Sequence, residues 1–378
     1  MSRQHGLMFA ALATCLLAVA ASAIDACGGA EESILPVTVE QGKAKRPRPG
    51  PIRVGLIANT LDAGPATGPQ QTEARQSGAR WLREEFRWNE VEPRPGEFHW
   101  RKIDRMMRMA AARRLRVLPL LIGTPRWVAH SMYELPLNPD GFARFTARVA
   151  RRYGPGGTFW RRLARPTRRL APRVFEVWNE PFAAHFSAGQ VSARRYALLF
   201  YAAATAGWHA NPRTRYLLAV DSAYISADGQ PREWTTDLLR ALPRLRRRVY
   251  GLAMHPYSVT ESPGTYTPGA SQRQFLRIRE VRDEWGGSPR IWVTEVGWST
   301  CPDGSGCVSE ADQARYLQEA FDIVGSERLG VEAMFIYRLI DLHPGNPSDR
   351  EQWFGLRRLD GNPKPAWSVL HRIAEAVR

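Results

Sequence analysis

Short apolar, β-prone runs alternate with helical patterns along most of the chain. Between two of these runs, Ile103, Met106, Met107 and Ala110 recur at the three- and four-residue spacing of an amphipathic helix. Strands that alternate with helices predict repeated βα units and a parallel sheet. The fourth predicted strand starts at Val174, and the other seven are predicted at 52–57, 79–86, 116–122, 216–220, 249–254, 291–295 and 331–337.

Helical patterns separate these strands. Helices are predicted from about 101, after Asn138-Pro139-Asp140, over 192–209, 233–242 and 271–285, after Ser309, and over 366–377. Eight strands with seven or eight helices favour an α/β fold of the (β/α)8 TIM-barrel type over a doubly wound sheet. A dinucleotide site is not expected, because no Gly-x-Gly-x-x-Gly pattern follows the first strand.

The fourth strand ends in Trp178-Asn179-Glu180-Pro181. Proline cannot donate to a strand ladder and disfavours helical geometry in the residue before it, so Asn179 and Glu180 should lie at the carboxyl end of the strand. Glu295 ends the seventh strand, 115 positions after Glu180, which leaves room for three βα units. Both carboxylates should therefore reach the same mouth of the barrel, which is where (β/α)8-barrel enzymes carry their active sites.

Two carboxylates across one cleft suit the cleavage of a glycosidic bond. One protonates the leaving oxygen, and the other attacks the anomeric carbon or activates water. Asn179 is placed to hold the sugar 2-hydroxyl. Sugar rings stack on aromatic faces, and four strand-end aromatics are candidate platforms: Trp88, Trp127, Trp298 and Tyr337. Core packing is the alternative role for each of these rings.

Three strand-end motifs make this hypothesis more specific. Trp178-Asn179-Glu180-Pro181, His255-Pro256-Tyr257 and Thr294-Glu295-Val296-Gly297-Trp298 resemble motifs of strands 4, 6 and 7 in clan A glycoside hydrolases. The segments 83–100 and 354–367 resemble families 5 and 39, and the first of them also resembles family 42. The resemblance implies a retaining hydrolase on a (β/α)8 barrel, covering about residues 52–370.

The resemblance also implies roles for individual residues. Glu180 matches the acid/base and Glu295 the nucleophile, while Asn179 matches the ligand of the 2-hydroxyl. Arg83 matches an arginine that steadies the nucleophile, with Arg87 as a competing choice, and His255 and Tyr257 match the strand 6 pair. Many family 5 enzymes carry a histidine near the end of strand 3, where this chain has Gly123-Thr124-Pro125. The exact family and the sugar therefore stay open.

The formal net charge of +16 comes almost entirely from arginine, since the chain has only four lysines. Such a surface attracts polyanions, so an anionic polysaccharide is a candidate partner beside the carbohydrate substrate. A solvated outer face is the alternative. Nucleic acid is not expected, because no recognition motif accompanies the charge. No cofactor is expected, and the few histidines show no ligand spacing that predicts a metal site.

The first residues have the features of an export signal: Arg3, an apolar run and Ala21-Ser22-Ala23. The predicted organisation is a signal peptide at 1–23, a Pro- and Arg-rich linker at 24–50 and a catalytic domain at 51–378. The protein is predicted to be secreted, with no transmembrane segment after signal removal. Lipid attachment at Cys27 is an alternative. Cys301 and Cys307 are predicted to form a disulfide, as export and their close spacing favour.

A second function class was compatible with this pattern. A secreted barrel that binds carbohydrate without turnover would keep the fold and the aromatic platforms. The presence of both Glu180 and Glu295 argues for catalysis. A serine hydrolase is not expected, because no Gly-x-Ser-x-Gly motif stands at a strand end.

Overall fold

The structure, a computed structural model, describes residues 51–221, 223–226, 229–266, 274–302, 304–327, 329–342 and 347–377. Eight parallel strands in this part of the chain close into a barrel, as predicted. Each strand pairs with its sequence neighbours, and the last pairs with the first. The strands are β1 (Arg53–Ile57), β2 (Trp81–Arg87), β3 (Arg116–Ile122), β4 (Val174–Val177), β5 (Arg215–Ala219), β6 (Gly251–Met254), β7 (Ile291–Val296) and β8 (Val331–Tyr337).

Helices surround the barrel. The longer ones in the described residues are α1 (Thr67–Gln76), α2 (Arg101–Ala112), α3 (Asp140–Tyr153), α4 (Ala193–Ala210), α5 (Trp234–Ala241), α6 (Ile278–Trp285), α7 (Glu310–Ser326) and α8 (Pro365–Ala376). The sequence patterns did not predict α1, because its residues are mostly polar and carry no apolar stripe. The start of the helix predicted over 271–285 lies outside the described residues, as do the predicted signal peptide and linker.

Local signals explain where the helices begin. Asn138 Oδ1 accepts a hydrogen bond from the backbone N–H of Asp140 at 2.9 Å, at the start of α3. Ser309 caps α7 by accepting from the N–H of Asp312 at 3.0 Å. None of the helices in the described residues is long and apolar enough to cross a bilayer.

Two layers of apolar side chains hold the barrel together. The larger lies between strands and helices, where the apolar faces of α2 and α3 are buried. Burying one such side chain contributes about 1.5–3 kcal/mol relative to leaving it exposed. The smaller fills the barrel interior and includes Leu118, Val174, Leu217, Trp292 and Phe335.

A polar layer lies above this interior cluster, towards the carboxyl ends of the strands. Side chains alternate along a strand, so Glu176 faces the same way as Val174, and Thr294 the same way as Trp292. Glu176 and Thr294 are fully buried and hydrogen-bonded to each other at 2.9 Å. The interior thus changes from apolar to charged just below the mouth of the barrel.

Candidate active site

The two predicted glutamates line one cavity at the carboxyl ends of the strands. It has a volume of about 630 Å³. Glu295 lies on β7, and Glu180 follows β4 by three residues. The strand assignment made from sequence therefore brought together the carboxylates that meet in the fold. Other lining residues include Asn59, Arg83, Glu85, Asn179, His185, Phe186, Tyr257, Tyr337, Arg350, Glu351 and Phe354.

His255, which directly follows β6, lies between the two carboxylates. Its Nδ1 is 2.9 Å from Glu180 Oε1 and 4.0 Å from Glu295 Oε2. These two oxygens are therefore no more than about 7 Å apart, the sum of the two distances, and closer if the three atoms are not in line. A pair of oxygens this close is compatible with the carboxyl separation of about 5–5.5 Å that is typical of retaining glycosidases.

Arg83 on β2 connects three side chains of the site. Its Nε donates to Glu176 Oε2 at 2.6 Å, its Nη2 to Asn179 Oδ1 at 2.6 Å, and its Nη1 to Glu295 Oε2 at 3.2 Å. Burial alone would lower the pKa of Arg83, but Glu176 and Glu295 outweigh burial and raise it. The guanidinium thus stays charged and positions both Asn179 and Glu295.

Tyr257 holds the other oxygen of Glu295. Its hydroxyl donates to Glu295 Oε1 at 2.5 Å. Burial and the neighbouring Glu295 raise the pKa of Tyr257 well above its ordinary value, so the phenol keeps its proton and remains a donor. With Arg83 on one oxygen and Tyr257 on the other, the Glu295 carboxylate is fixed in orientation.

The backbone around the site takes uncommon conformations. Trp178 and Glu180 have positive φ angles of 65° and 36°. Such conformations cost free energy in residues other than glycine and concentrate at functional sites. Gly297 follows β7 and approaches β8 so closely that an added Cβ would lie 2.1 Å from the Tyr337 carbonyl oxygen. The glycine of the Thr294–Trp298 motif is thus required by this close approach.

The four predicted aromatic platforms have different surroundings. Trp88 is fully buried and packs against Phe142 and Phe145, so it does not line the cavity. Tyr337 lines the cavity, and burial and Glu295 raise its pKa to about 12. Trp298 was expected to present a ring face to the cavity. It is only 1% exposed and packs against Tyr316 in the core instead. Trp127 is 38% exposed but does not line the cavity; its Nε1 donates to the Glu92 carbonyl at 3.1 Å.

Glu176 is the important site residue that sequence reasoning missed. It lies in the middle of β4, is 1% exposed, and accepts hydrogen bonds from Arg83 and Thr294. A signal was present in the sequence, because a carboxylate inside an apolar strand requires a buried partner. Arg350 and Glu351 also line the cavity from the loop after β8, and no motif marked them.

The predicted disulfide between Cys301 and Cys307 is present, with Cα atoms 5.5 Å apart. It closes a short loop after β7. The base of this loop contacts the cavity wall, since Ser299 Oγ donates to the Arg350 carbonyl at 2.7 Å. Within the described residues, no group of three or more His, Cys, Asp or Glu side chains is placed to hold a metal ion.

No protein-family model and no curated protein matches the chain. Solved structures do. A family 39 glycoside hydrolase from Bacteroides cellulosilyticus WH2 matches with a TM-score of 0.63 and 18% identity over 86% of this chain and 64% of its own. A monomeric β-xylosidase from Caulobacter crescentus CB15 matches with a TM-score of 0.60 and 16% identity over 85% of this chain and 68% of its own. GH5_18 from Streptomyces cattleya, solved with GlcNAc, matches with a TM-score of 0.61 and 14% identity over 88% of this chain and 81% of its own.

These comparisons define the class of fold. The barrel is of the kind found in clan A glycoside hydrolases, families 5 and 39 among them, as the sequence motifs predicted. The chain spans about two thirds of the length of the family 39 structures that it matches.

Proposed function

We propose that the protein is a secreted retaining β-glycosidase that hydrolyses O-glycosidic bonds of an oligo- or polysaccharide by double displacement. The observation that carries this proposal is the joint placement of Glu180 and Glu295 around His255, in one cavity of a clan A type barrel. The cavity volume of about 630 Å³ is in the range of small-ligand sites.

Glu295 is the proposed nucleophile. Its carboxylate attacks the anomeric carbon as the bond to the leaving oxygen breaks, and a covalent glycosyl-enzyme forms. Water then attacks the same carbon and releases Glu295. Arg83 and Tyr257 orient the attacking carboxylate through its two oxygens. Asn179 uses its carbonyl to accept from Arg83, which leaves its amide nitrogen to donate to the sugar 2-hydroxyl.

Glu180 is the proposed acid/base, and its place beside Glu295 in the same cavity supports this role. Thr294 donates to the ion-paired Glu176, so the Thr294 oxygen accepts from His255 Nε2 at 3.1 Å. His255 Nδ1 in turn lies 2.9 Å from Glu180 Oε1, so His255 connects Glu180 to this buried network and helps to hold its carboxyl group in place. Glu180 donates a proton to the leaving oxygen in the first step and accepts one from water in the second.

The stereochemistry of hydrolysis tests the mechanism. We would screen aryl β-xylosides, β-mannosides, β-glucosides and β-galactosides and follow the hydrolysis of a cleaved one by proton NMR. Double displacement predicts that the first sugar product has the configuration of the substrate. An inverted first product would exclude Glu295 as nucleophile. Binding of the sugars without any hydrolysis would instead favour a carbohydrate-binding barrel.

Two variants separate the roles of the carboxylates. Glu295→Gln should lower kcat at least about a thousandfold on every substrate, because no nucleophile remains. Glu180→Ala should retain more activity on dinitrophenyl glycosides than on other substrates, because the dinitrophenolate leaving group needs no proton. Added azide should restore turnover of this variant, with a β-glycosyl azide as the product. Glu351→Gln is the control, because Glu351 lines the same cavity but pairs with Arg350; its kcat should stay within a few-fold of wild type.

Export is part of the proposal and is supported by the apolar run and small residues near the start of the chain. Expression of the full chain with its first residues should give a mature N-terminus after residue 23. A product that starts at Cys27 and carries lipid would indicate membrane anchoring instead.

A further inference from the structure

A second cavity, of about 650 Å³, opens at the end of the barrel opposite the candidate active site. It lies where the parallel strands begin. β1, β3 and β5 start with Arg53, Arg116 and Arg215, and Arg173 directly precedes β4. Because the strands are parallel, these side chains meet at one end of the barrel. The arginines that line this amino-end cavity are Arg53, Arg116, Arg169, Arg173, Arg213 and Arg215.

Most of this positive charge has no carboxylate partner. Within the described residues, Arg53 alone among the six pairs with a carboxylate, Glu332, at 3.2 Å. Arg116 donates instead to the backbone carbonyl of Arg169 at 2.8 Å, which leaves its charge uncompensated. Burial, together with Arg173, Arg53 and Arg169, lowers the pKa of Arg116. An anion in the amino-end cavity would relieve this repulsion.

Aromatic rings form part of the cavity wall. Trp81, Trp292 and Tyr250 line it, with Arg53 5.3 Å from the ring centre of Trp292 and Arg116 5.7 Å from that of Trp81. Trp292 is 1% exposed, and its Nε1 has no hydrogen-bond partner among the described residues. The cavity wall therefore combines guanidinium groups with aromatic rings.

We propose that the amino-end cavity binds a carboxylated or sulfated segment of an anionic polysaccharide. Guanidinium groups bind carboxylate and sulfate oxygens through paired N–H donors. Single-stranded nucleic acid is less suited, because it is bound by stacking on free aromatic faces, and arginines cover one face of Trp81 and of Trp292. The choice of a saccharide rests on the proposed function, whereas the anion site itself does not.

The position of the amino-end cavity gives such binding a use. Its ligand would be held at one end of the barrel while the catalytic cavity at the other end acts on a separate stretch or chain. Attachment of this kind raises the local concentration of substrate at the enzyme. The amino-end cavity also assigns a specific location to part of the arginine excess, which the sequence did not predict.

The test compares two triple variants of the full chain with equal net charge. The ring variant, Arg116→Gln/Arg173→Gln/Arg215→Gln, removes three of the six arginines that surround the amino-end cavity. The control variant, Arg108→Gln/Arg151→Gln/Arg194→Gln, removes exposed arginines from α2, α3 and α4. Calorimetric titrations would use oligogalacturonate, dextran sulfate, neutral dextran and oligo-dT, at low and moderate salt. We expect at least tenfold weaker binding of the anionic saccharides by the ring variant and less than twofold by the control.

Several outcomes would overturn the proposal. Equal losses in both triple variants would mean diffuse surface charge, and tighter binding of oligo-dT than of the saccharides at matched charge would point to nucleic acid. The single variant Arg173→Gln keeps the test valid if the triple variant misfolds, because the structure shows no side-chain hydrogen bond for Arg173 among the described residues. This variant should weaken binding at least threefold. Hydrolysis of an aryl glycoside should be unchanged in the ring variant, so failure of the catalytic proposal would be seen separately.

Discussion

Arg83 and Glu176 form a bidentate ion pair inside the barrel, with Nε–Oε2 and Nη2–Oε1 distances of 2.6 Å and 3.1 Å. The two side chains are 5% and 1% exposed. The pair fixes the guanidinium in one orientation, and the same guanidinium reaches the proposed nucleophile Glu295 and its neighbour Asn179. A residue that does not line the cavity therefore positions two residues that do.

Removal of the Glu176 charge should affect both stability and catalysis. Glu176→Gln leaves a buried arginine without its main partner, which should lower the free energy of unfolding by about 3 kcal/mol. Because Arg83 then loses its anchor, kcat should fall at least about tenfold while KM changes less. Urea unfolding and steady-state kinetics at a temperature where the variant is folded measure the two effects.

The partly exposed pair between Arg279 and Glu327, 2.5 Å apart, provides the control. Glu327→Gln should cost no more than about 1 kcal/mol, as exposed ion pairs usually do, and should leave kcat unchanged. If Glu176→Gln lowers stability without changing kcat, Glu176 has only a structural role.

Tyr257→Phe should weaken catalysis with little change in fold. The variant keeps the ring and removes the hydroxyl that donates to Glu295 Oε1. A hydrogen bond to a charged group contributes about 1.5–3 kcal/mol, which corresponds to about 10–100-fold in kcat/KM. Tyr316→Phe is the matched control, because Tyr316 is also buried but donates to the Thr260 carbonyl, at 3.3 Å. Equal kinetics in both variants would contradict the role given to Tyr257.

The barrel and its mouth were predictable from sequence because their signals are local. Alternation of apolar runs with helical spacing indicated the (β/α)8 fold, and Pro181 indicated where β4 ends. Each strand end was then assigned to the same face by the rules of parallel sheets. Glu180 and Glu295 needed nothing more than this to be placed in one site, whereas Arg83 was assigned only through the resemblance to known glycoside hydrolases.

Other features depend on contacts between distant residues. Glu176 meets Arg83 across 93 positions of sequence, and no local pattern links them. Trp298 follows a strand end as expected for a sugar platform, but its ring turns to the helix layer and packs on Tyr316. α1 was missed because its polar sequence carries no apolar period. In each case, tertiary packing decided what the local pattern could not.

Loss of the disulfide should change the cavity more than the fold. The chain-entropy model gives about 2 kcal/mol for so short a loop, so Cys301→Ser/Cys307→Ser should remain folded. The base of the loop contacts Arg350, which lines the cavity, so KM for an oligosaccharide should rise more than kcat falls. Reductant should reproduce this in wild type and have no effect on the variant. Alkylation of both Cys301 and Cys307 in the unreduced protein would exclude the bond in solution.

Glu84 should make stability depend on pH. This carboxyl is 2% exposed and accepts from Thr60 N, Thr60 Oγ1 and Leu61 N at 3.0, 2.6 and 3.1 Å. Burial raises its pKa to about 7, although the three donors oppose the shift. Between its ordinary value, about 4.5, and about 7, the folded state thus binds more protons than the unfolded state. Stability should therefore fall as pH rises through this window and level off above it.

The loss should reach about 3 kcal/mol, because the pKa of Glu84 is raised from 4.5 to about 7 on folding. Glu284, whose pKa burial and Glu233 raise to about 8, acts in the same direction, so the comparison with a variant isolates Glu84. Urea unfolding across this pH range should show a smaller decline for Glu84→Gln than for wild type, while Glu327→Gln should keep the full decline. Parallel curves for wild type and Glu84→Gln would show that Glu84 ionises alike in the folded and unfolded chain.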